Sequence, residues 1–262
     1  MNTNITIDNQ HRFDLGALAQ MYRLRAKVFG ERMGWKVAVS AGMEIDDYDA
    51  QSPFYMLVRD NFGRVCGCWR LLPTQGSYML RDTFPELLHG HDAPASVHVW
   101  ELSRFAIVSP ERTGYGFGEL ALDAMRSIVA FADCRGITRY VTVTTTAVER
   151  LLARARIEIR RFGPPMRIGS VNAVALTIEL GGQTHDALFG QAQPSQRNQP
   201  TLCARSADPA HLTPSTDRFE QSFRTTDECA ARLIKTQGFV HFTRKADTLG
   251  RCDPGDKRRA VV

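Results

Sequence analysis

The sequence predicts a domain of the α/β class, an α+β three-layer sandwich around a mixed central sheet. The order of its segments supports this class: an amphipathic helix, two strand-like runs joined by a turn, and then alternating strands and helices. A length of 262 residues, of which 43% are hydrophobic and 23% charged, is sufficient for one large domain with a sizeable core.

The first third of the domain predicts a helix, a long loop and a hairpin. Residues 14–32 place apolar side chains at steps of three and four residues, and Asp14 is suited to cap the helix that this spacing indicates. Residues 34–53 have few apolar runs and four acids, and an irregular stretch of this length is typical of a functional loop. Strand-like runs at 54–59 and 64–72 flank a turn.

Strands and helices alternate in the rest of the predicted domain, up to a change in composition after Gly181. The segments are a short helical piece at 84–88, a strand at 97–108, a helix at 119–135 ended by Gly136, a strand at 140–146, a basic helix at 147–159 and a strand at 173–180. We therefore predict a domain over residues 1–190. A polar C-terminal extension, 191–262, is expected to be poorly ordered apart from a short helix at 226–236 and a strand at 239–242.

Bulk properties restrict the partners and the compartment. The formal net charge of +5 suits an acidic protein, anionic lipid or nucleic acid, but no nucleic-acid-binding motif is recognisable, so no nucleic acid partner is expected. No run approaches the roughly 20 apolar residues of a membrane span, and no secretory signal is visible. The six cysteines form no CxxC pair, so we expect a cytoplasmic protein without a disulfide framework or a metal site.

Charged residues interrupt the apolar pattern of three predicted elements. They are Arg25 in the first helix, Arg70 in the strand at 64–72, and Glu101 and Arg104 in the strand at 97–108. Burying a charge without a partner is costly, so these groups are expected to pair with one another or with the loop acids Asp46 and Asp49. Separate structural ion pairs would explain the pattern, and so would one polar network that lines a cleft.

The order and spacing of these residues resemble the invariant pattern of the acyl-homoserine lactone synthases, the LuxI-type autoinducer synthases. The pattern consists of Arg25-xxx-Phe29, Trp35, Asp46-xx-Asp49, Arg70 and Glu101-xx-Arg104. The surrounding words match as well: LRAKVF at 24–29, MEIDDYD at 43–49, GCWRLL at 67–72 and ELSRFA at 101–106. The resemblance covers residues 14–190.

The resemblance implies an N-acetyltransferase-like fold with a splayed sheet. In such folds two adjacent parallel strands separate, and the pantetheine arm of a thioester enters between them. Here those strands would be the ones at 97–108 and 140–146. The glycine-rich segment 112–118 lies between them in sequence; it either leaves amides at a helix N-terminus for a phosphate or is a plain turn.

The resemblance also implies a reaction and its catalytic residues. The amine of S-adenosyl-L-methionine attacks an acyl thioester on acyl carrier protein, and the carboxylate then displaces methylthioadenosine to close the lactone. S-adenosylmethionine is thus a substrate, and no cofactor is expected. An ammonium must lose a proton before it attacks, and Glu101 is the candidate base, directly or through a water. Arg70 and Arg104 are expected to keep Glu101 ionised and to position the substrate carboxylate.

A further group of residues is expected to bind S-adenosylmethionine. They are Arg25, Phe29, Trp35, Asp46, Asp49, Ser103 and Phe105. The aromatic rings suit adenine stacking and contact with a sulfonium, and the acids supply countercharge, although the sequence leaves open which acid meets the ligand and which orders Arg25. A backbone amide near Ser103–Phe105 is the expected oxyanion donor.

Two more groups are expected to select the acyl donor. Thr142 or Thr144 is expected to donate a hydrogen bond to a 3-oxo acyl chain, and the candidate tunnel wall consists of Met79, Leu80, Phe84, Leu122 and Met125. The basic residues expected to meet the acidic acyl carrier protein are Arg150, Arg154, Arg161 and Arg167.

Each assignment has an alternative. Trp35 would also serve as a lid residue packed on the core, threonines fit any strand, the tunnel residues fit ordinary core, and the arginines fit a solvated basic face. For the whole chain, the alternatives are an acyl-CoA-dependent N-acyltransferase that acts on another amine and a non-catalytic acyl-binding relative. The presence of Glu101, Arg70 and Trp35 disfavours the non-catalytic alternative.

Overall fold

The computed structural model describes residues 3–108 and 118–190. The strands in this part of the chain are β1 (Asn4–Asn9), β2 (Val39–Ser40), β3 (Met43–Glu44), β4 (Phe54–Arg59), β5 (Val65–Pro73), β6 (Val99–Ile107), β7 (Arg139–Thr145), β8 (Ile159–Arg161), β9 (Met166–Ile168) and β10 (Val171–Glu179). The α-helices are α1 (Leu15–Arg25), α2 (Met79–Asp82), α3 (Glu119–Asp133), α4 (Thr146–Arg154) and α5 (Gly182–Phe189). Of the helices described, none combines the length and the apolar character that crossing a bilayer requires.

The large sheet is mixed, as the sequence predicts. Its eight strands run in the order β1-β4-β5-β6-β7-β10-β8, and β9 also pairs with β10. Every neighbouring pair is antiparallel except β6 and β7, which are parallel. The core on one face packs α1 against the sheet, and the core on the other packs α3 and α4. This arrangement confirms the three-layer, N-acetyltransferase-like fold.

The N-terminal helix begins where its capping residue predicts and changes its pitch midway. The side chain of Asp14 accepts a hydrogen bond of 2.7 Å from the backbone N–H of Ala17. After Arg25 the chain continues as a wider π-helix, Ala26–Arg32, so the predicted single helix has two parts. Such π-helical turns often occur at functional sites, and this one buries the ring of Phe29.

The two parallel strands, β6 and β7, diverge along their length. They pair only where residues 99–102 face residues 139–142; further along, β6 stays with β5 and β7 stays with β10. The register between β5 and β6 shifts between Cys68 and Arg70, and Arg104 on β6 has a φ of 59°, which is unusual for a residue other than glycine. A bulge bends its strand. The sheet is therefore splayed at the position that the sequence predicts.

Several short elements lack a clear signal in the sequence. They are β1, the β2–β3 hairpin, α2, β8, β9, α5 and the 3₁₀ helix Asp47–Gln51. A strand of two or three residues is too short to show alternation, so periodicity cannot reveal it. The stretch 34–53 is predicted as irregular for this reason, but in the structure it contains a hairpin and a helical turn.

The predicted end of the basic helix is wrong, and two expectations fall outside the described residues. Helix α4 ends at Arg154, five residues before the predicted end at residue 159, because Arg156 takes a φ of 61° and the chain turns into β8. The glycine-rich segment 112–118, expected either to leave amides for a phosphate or to be a plain turn, lies outside the described residues except for Gly118. The C-terminal extension at 191–262 also lies outside them.

Candidate active site

Arg25 is the centre of one half of a buried charge cluster. Its Nε donates to Glu44 (2.5 Å), and its two terminal nitrogens donate to the two oxygens of Asp49 (2.8 and 2.9 Å). The hydroxyl of Tyr55 also donates to Asp49. The side chains of Arg25 and Glu44 are completely buried. Helix α1 and the acidic loop are therefore joined through all three nitrogens of the Arg25 guanidinium.

Arg70 and Arg104 complete the cluster from the central strands. Arg70 donates to Asp46 (2.5 Å) and Asp49 (2.8 Å), and Arg104 donates to Glu44 (2.7 Å) and Asp46 (2.9 Å). Each carboxylate therefore bridges two arginines. The structure shows one connected network and not a set of separate ion pairs.

The network balances three positive side chains with three negative ones. Burial alone would raise the pKa of Asp49, but the adjacent guanidiniums of Arg25 and Arg70 hold that pKa well below its ordinary value. Burial likewise opposes ionisation of Glu44, and Arg25 and Arg104 lower its pKa. Both carboxylates are thus held in their charged form.

Glu101 lies apart from these ion pairs, at the start of α2. One of its carboxylate oxygens accepts the backbone N–H of Met79 (3.0 Å) and the other accepts that of Leu80 (2.7 Å). Helix α2 has no side-chain cap of its own, so Glu101 satisfies two of its first amides. Burial raises the pKa of Glu101 although these hydrogen bonds oppose the shift.

The expected arrangement of Arg70 and Arg104 around Glu101 needs a correction. Neither guanidinium forms an ion pair with Glu101; both are bonded to the acids of the network, and Arg70 lowers the pKa of Glu101 only through longer-range attraction. The two arginines meet instead at the sulfur of Met79, to which Arg70 donates at 3.0 Å and Arg104 at 3.2 Å. The thioether and the amide of one residue thus connect the network to Glu101.

A cavity of about 710 Å³ lies between the diverging strands and beside this network. The predicted site residues that line it are Phe29, Trp35, Met79, Phe84, Glu101, Ser103, Arg104, Phe105 and Thr144. Arg25, Asp46, Asp49 and Arg70 support the wall from behind. A volume of this size is typical of a site for a small ligand or cofactor.

Aromatic rings form one side of the cavity. The Trp35 ring lies 5.5 Å from that of Phe29 and 5.7 Å from that of Phe84, measured between centroids. The guanidinium of Arg104 lies 5.1 Å from the centroid of Phe29. The Nε1–H of Trp35 is buried and has no hydrogen-bond partner among the described residues. This wall therefore offers ring faces and one unused donor.

Part of the predicted acyl tunnel does not line the cavity. Met125 is completely buried in the core beneath α3, Leu122 packs against the same core, and Leu80 belongs to a core cluster on the opposite face. Leu120 and Ala121 of the same helix line the cavity instead. Residues one or two positions apart on a helix point in different directions, so the prediction that Leu122 and Met125 face the cavity is wrong.

Glu44 is a site residue that the sequence did not single out. In the sequence it is one of four acids in the stretch 34–53. In the structure it lies on the short strand β3 and bridges Arg25 and Arg104. One feature of the sequence points to Glu44 as a buried acid: it lies between two apolar residues, Met43 and Ile45, just before Asp46.

The basic residues of the predicted carrier-protein surface are exposed and lie on neighbouring elements. Arg150 and Arg154 are on α4, Arg161 ends β8, and Arg167 is on β9. Arg161 is paired with Glu149 through two hydrogen bonds, so its charge is partly neutralised. The bond to Glu149 places Arg161 beside α4, on which Arg150 and Arg154 are one helical turn apart.

The site can be compared with known proteins. The autoinducer synthase family model matches residues 9–188. An acyl-homoserine-lactone synthase of Pseudomonas aeruginosa is 49% identical over 195 residues, which are 74% of this chain and 97% of that protein. The crystal structure of the AHL synthase LasI matches with a TM-score of 0.69 and 49% identity over 75% of this chain and 99% of its own. BjaI, a CoA-dependent synthase solved with SAM and isopentyl-CoA, matches with a TM-score of 0.64 and 26% identity over 72% and 89%.

The splayed sheet and the charged cavity define an N-acetyltransferase-like acyltransferase. The family match spans more than half of the sequence, and the relatives are covered over nearly their full length. The chain belongs to the autoinducer synthase family, and its activity is that of an acyl-homoserine-lactone synthase.

Proposed function

We propose that this synthase transfers a 3-oxo fatty acyl group from acyl carrier protein to the amine of S-adenosyl-L-methionine and then closes the lactone. The products are the N-acyl-homoserine lactone, methylthioadenosine and holo carrier protein. The observation that carries the proposal is a cavity that passes between two diverging strands and reaches a buried carboxylate, Glu101. That a solved relative, BjaI, binds SAM supports the choice of amine.

The aromatic wall and the charge network suit S-adenosylmethionine. The rings of Phe29 and Trp35 present faces to a sulfonium or an adenine, and the free Nε1–H of Trp35 supplies one hydrogen-bond donor. Among the network acids, Asp46 has a side chain that is 16% exposed, whereas that of Asp49 is 2% exposed. Asp46 also accepts a hydrogen bond from the lining residue Arg104. We therefore assign Asp46 to the ligand-facing side of the network, where it acts through Arg104, and Asp49 with Glu44 to the ordering of Arg25.

The chemistry requires a proton acceptor close to the thioester. Glu101 lines the cavity, and its raised pKa makes it a stronger base than an ordinary glutamate. It takes one proton of the ammonium, directly or through a water, so that the free amine attacks the thioester carbon. The N–C bond forms, the C–S bond breaks, and the second proton lost by the nitrogen goes to the carrier thiolate, which leaves as the thiol. A backbone amide near Ser103 and Phe105 stabilises the oxyanion.

Lactone closure needs no further base. The carboxylate of the acylated substrate is already ionised, and one of its oxygens attacks the γ-carbon. The bond from that carbon to the sulfonium breaks, and methylthioadenosine leaves as a neutral molecule. Arg104 lines the cavity, and its positive charge is suited to attract this carboxylate. Its Nε–H and Nη2 donors are bonded to Glu44 and Asp46, so the interaction is one of charge and not a two-donor clamp.

The acyl chain is assigned to the side of the cavity formed by β7. Thr144 lines the large cavity, and Thr142 lines a small hollow that adjoins it. A threonine hydroxyl at either position is suited to donate to a 3-oxo group. For the acyl donor, the exposed arginines of α4 favour an acidic carrier protein.

Replacing Arg150 and Arg154 together with Glu should raise the KM for acyl carrier protein about tenfold and leave kcat unchanged. The effect should weaken as salt is added, since exposed charges are screened. The matched control is Arg12→Glu, which makes the same kind of charge change beside β1, at the opposite edge of the sheet. Equal KM values in the double variant and the control would reject α4 as the docking surface.

The test of the proposed function is product analysis with purified protein. Mass spectrometry should detect an N-acyl-homoserine lactone and methylthioadenosine when S-adenosylmethionine is supplied with acyl carrier protein loaded with a 3-oxo chain. The same chain on CoA, the donor class of BjaI, is the second arm. If only the CoA thioester gives product, CoA replaces acyl carrier protein as the proposed acyl donor. If neither donor gives a lactone, the proposed function is rejected.

A further inference from the structure

Trp69 lines a small hollow on the side of the sheet that faces α3 and α4. The hollow has a volume of about 20 Å³, and its walls include Phe105, Thr142 and Thr144. Side chains alternate along a strand, so Trp69 points away from the charge network into which its neighbour Arg70 projects. Arg104 is the network residue that also belongs to the lining of the hollow, whereas Arg25 and Arg70 do not line it.

The hollow is continuous in its lining with the large cavity. Ser103, Arg104, Phe105, Val143, Thr144 and Val148 belong to the walls of both. These shared residues lie where β6 and β7 have just separated. An acyl chain whose thioester carbon is beside Ser103 would therefore pass this hollow within its first few carbons.

The indole of Trp69 has a donor that the protein does not use. Its Nε1–H is buried and has no hydrogen-bond partner among the described residues, although the side chain is only 4% exposed. The ring is fixed by Phe105, whose centroid lies 4.4 Å away. By contrast, Trp100 donates its Nε1–H to the carbonyl of Val97. Buried donors in folded proteins usually have a partner, so an unused one indicates a missing acceptor.

The size of the hollow restricts what that acceptor can be. A volume of about 20 Å³ holds one water-sized group, since a water needs roughly 10–15 Å³ by this measure. The polar groups of the walls are the hydroxyls of Ser103, Thr142 and Thr144 and the indole N–H of Trp69, and Arg104 is the one charged residue among the described residues of the lining. A single neutral oxygen on a passing chain fits this space and this chemistry.

We propose that Trp69 is a specificity-determining residue whose Nε1–H donates a hydrogen bond to the oxygen at position 3 of the acyl chain. The inference rests on the proposed function and assigns the recognition of the 3-substituent to an indole in addition to the threonines. A 3-oxo or 3-hydroxy chain satisfies the donor, whereas an unsubstituted chain leaves it unpaired. Sites built to bond a substrate oxygen discriminate against analogues that lack it.

The experiment measures kcat/KM for 3-oxo and unsubstituted acyl donors of the same chain length. We expect the protein to prefer the 3-oxo donor. Replacing Trp69 with β-(3-benzothienyl)alanine, which keeps the ring shape and removes only the N–H, should reduce this preference about tenfold through slower use of the 3-oxo donor. Trp69→Phe should change the preference in the same direction. Trp100→Phe should not change it, because Trp100 lines neither the cavity nor the hollow.

Two results would overturn the proposal. One is an unchanged preference in the isosteric variant; the other is a preference that disappears in Thr144→Val or Thr142→Val while both Trp69 variants keep it. Absence of any lactone from the unmodified protein with either donor is a different result, which rejects the proposed function itself. Lactone formed from both donors without discrimination rejects the role of Trp69 and the preference for a 3-oxo chain, and it leaves the synthase activity in place.

Discussion

Glu101→Gln is expected to lower the rate of lactone formation by about 10²–10⁴-fold, the range typical for loss of a general base. The amide cannot accept a proton from the attacking amine. It also has one acceptor oxygen in place of two, so it cannot satisfy both the Met79 and Leu80 amides that the carboxylate binds now. The measurement is kcat with saturating S-adenosylmethionine and acyl donor.

The pH profile separates these two consequences. A general base must be ionised, so activity of the unmodified protein should fall as the pH drops through the pKa of Glu101, which burial raises above the ordinary glutamate value. The residual activity of Glu101→Gln should lack this acidic limb. Glu179→Gln, on β10 and paired with Arg139, is the matched control and should retain the full rate. Full activity in Glu101→Gln would remove the base assignment.

The role of Glu101 shows where a sequence pattern is insufficient. Its position in an apolar strand predicts a buried, functional carboxylate, and the structure places it at the cavity. Its partners, however, are backbone amides of α2, a helix of four residues. Backbone donors do not appear in a pattern of side chains, so the sequence led to the arginines instead.

The charge network was more accessible from the sequence. Arg25, Arg70 and Arg104 each interrupt an apolar run, and the cost of burying them predicts nearby acids. The pattern does not show which of the four loop acids point toward the arginines. The hairpin and the 3₁₀ helix of the loop determine that Glu44 is buried. The orientation of α3 about its own axis decides that Leu120, and not Leu122, lines the cavity. That orientation depends on how the helix packs against its neighbours.

Asp49→Asn is expected to lower the free energy of unfolding by about 3–5 kcal/mol, the range for removing one partner of a buried ion pair. The substitution nearly preserves shape, but Arg25 and Arg70 lose a shared countercharge in a site without water contact. Urea unfolding gives the measurement. Asp123→Asn, half exposed on α3, is the control and should change stability by less than about 1 kcal/mol. A similarly small loss in Asp49→Asn would contradict a cooperative network.

Acid should remove the same stabilisation from the unmodified protein. Asp49 and Glu44 have lower pKa values in the folded than in the unfolded chain, so the folded state binds fewer protons. Their stabilisation is complete above the unfolded-state pKa, roughly pH 4, and is lost as the pH falls through the folded-state values. The stability difference between the unmodified protein and Asp49→Asn should therefore be full at neutral pH and shrink in acid, because Asn does not titrate. A difference that grows as the pH falls would show that the network does not hold Asp49 ionised.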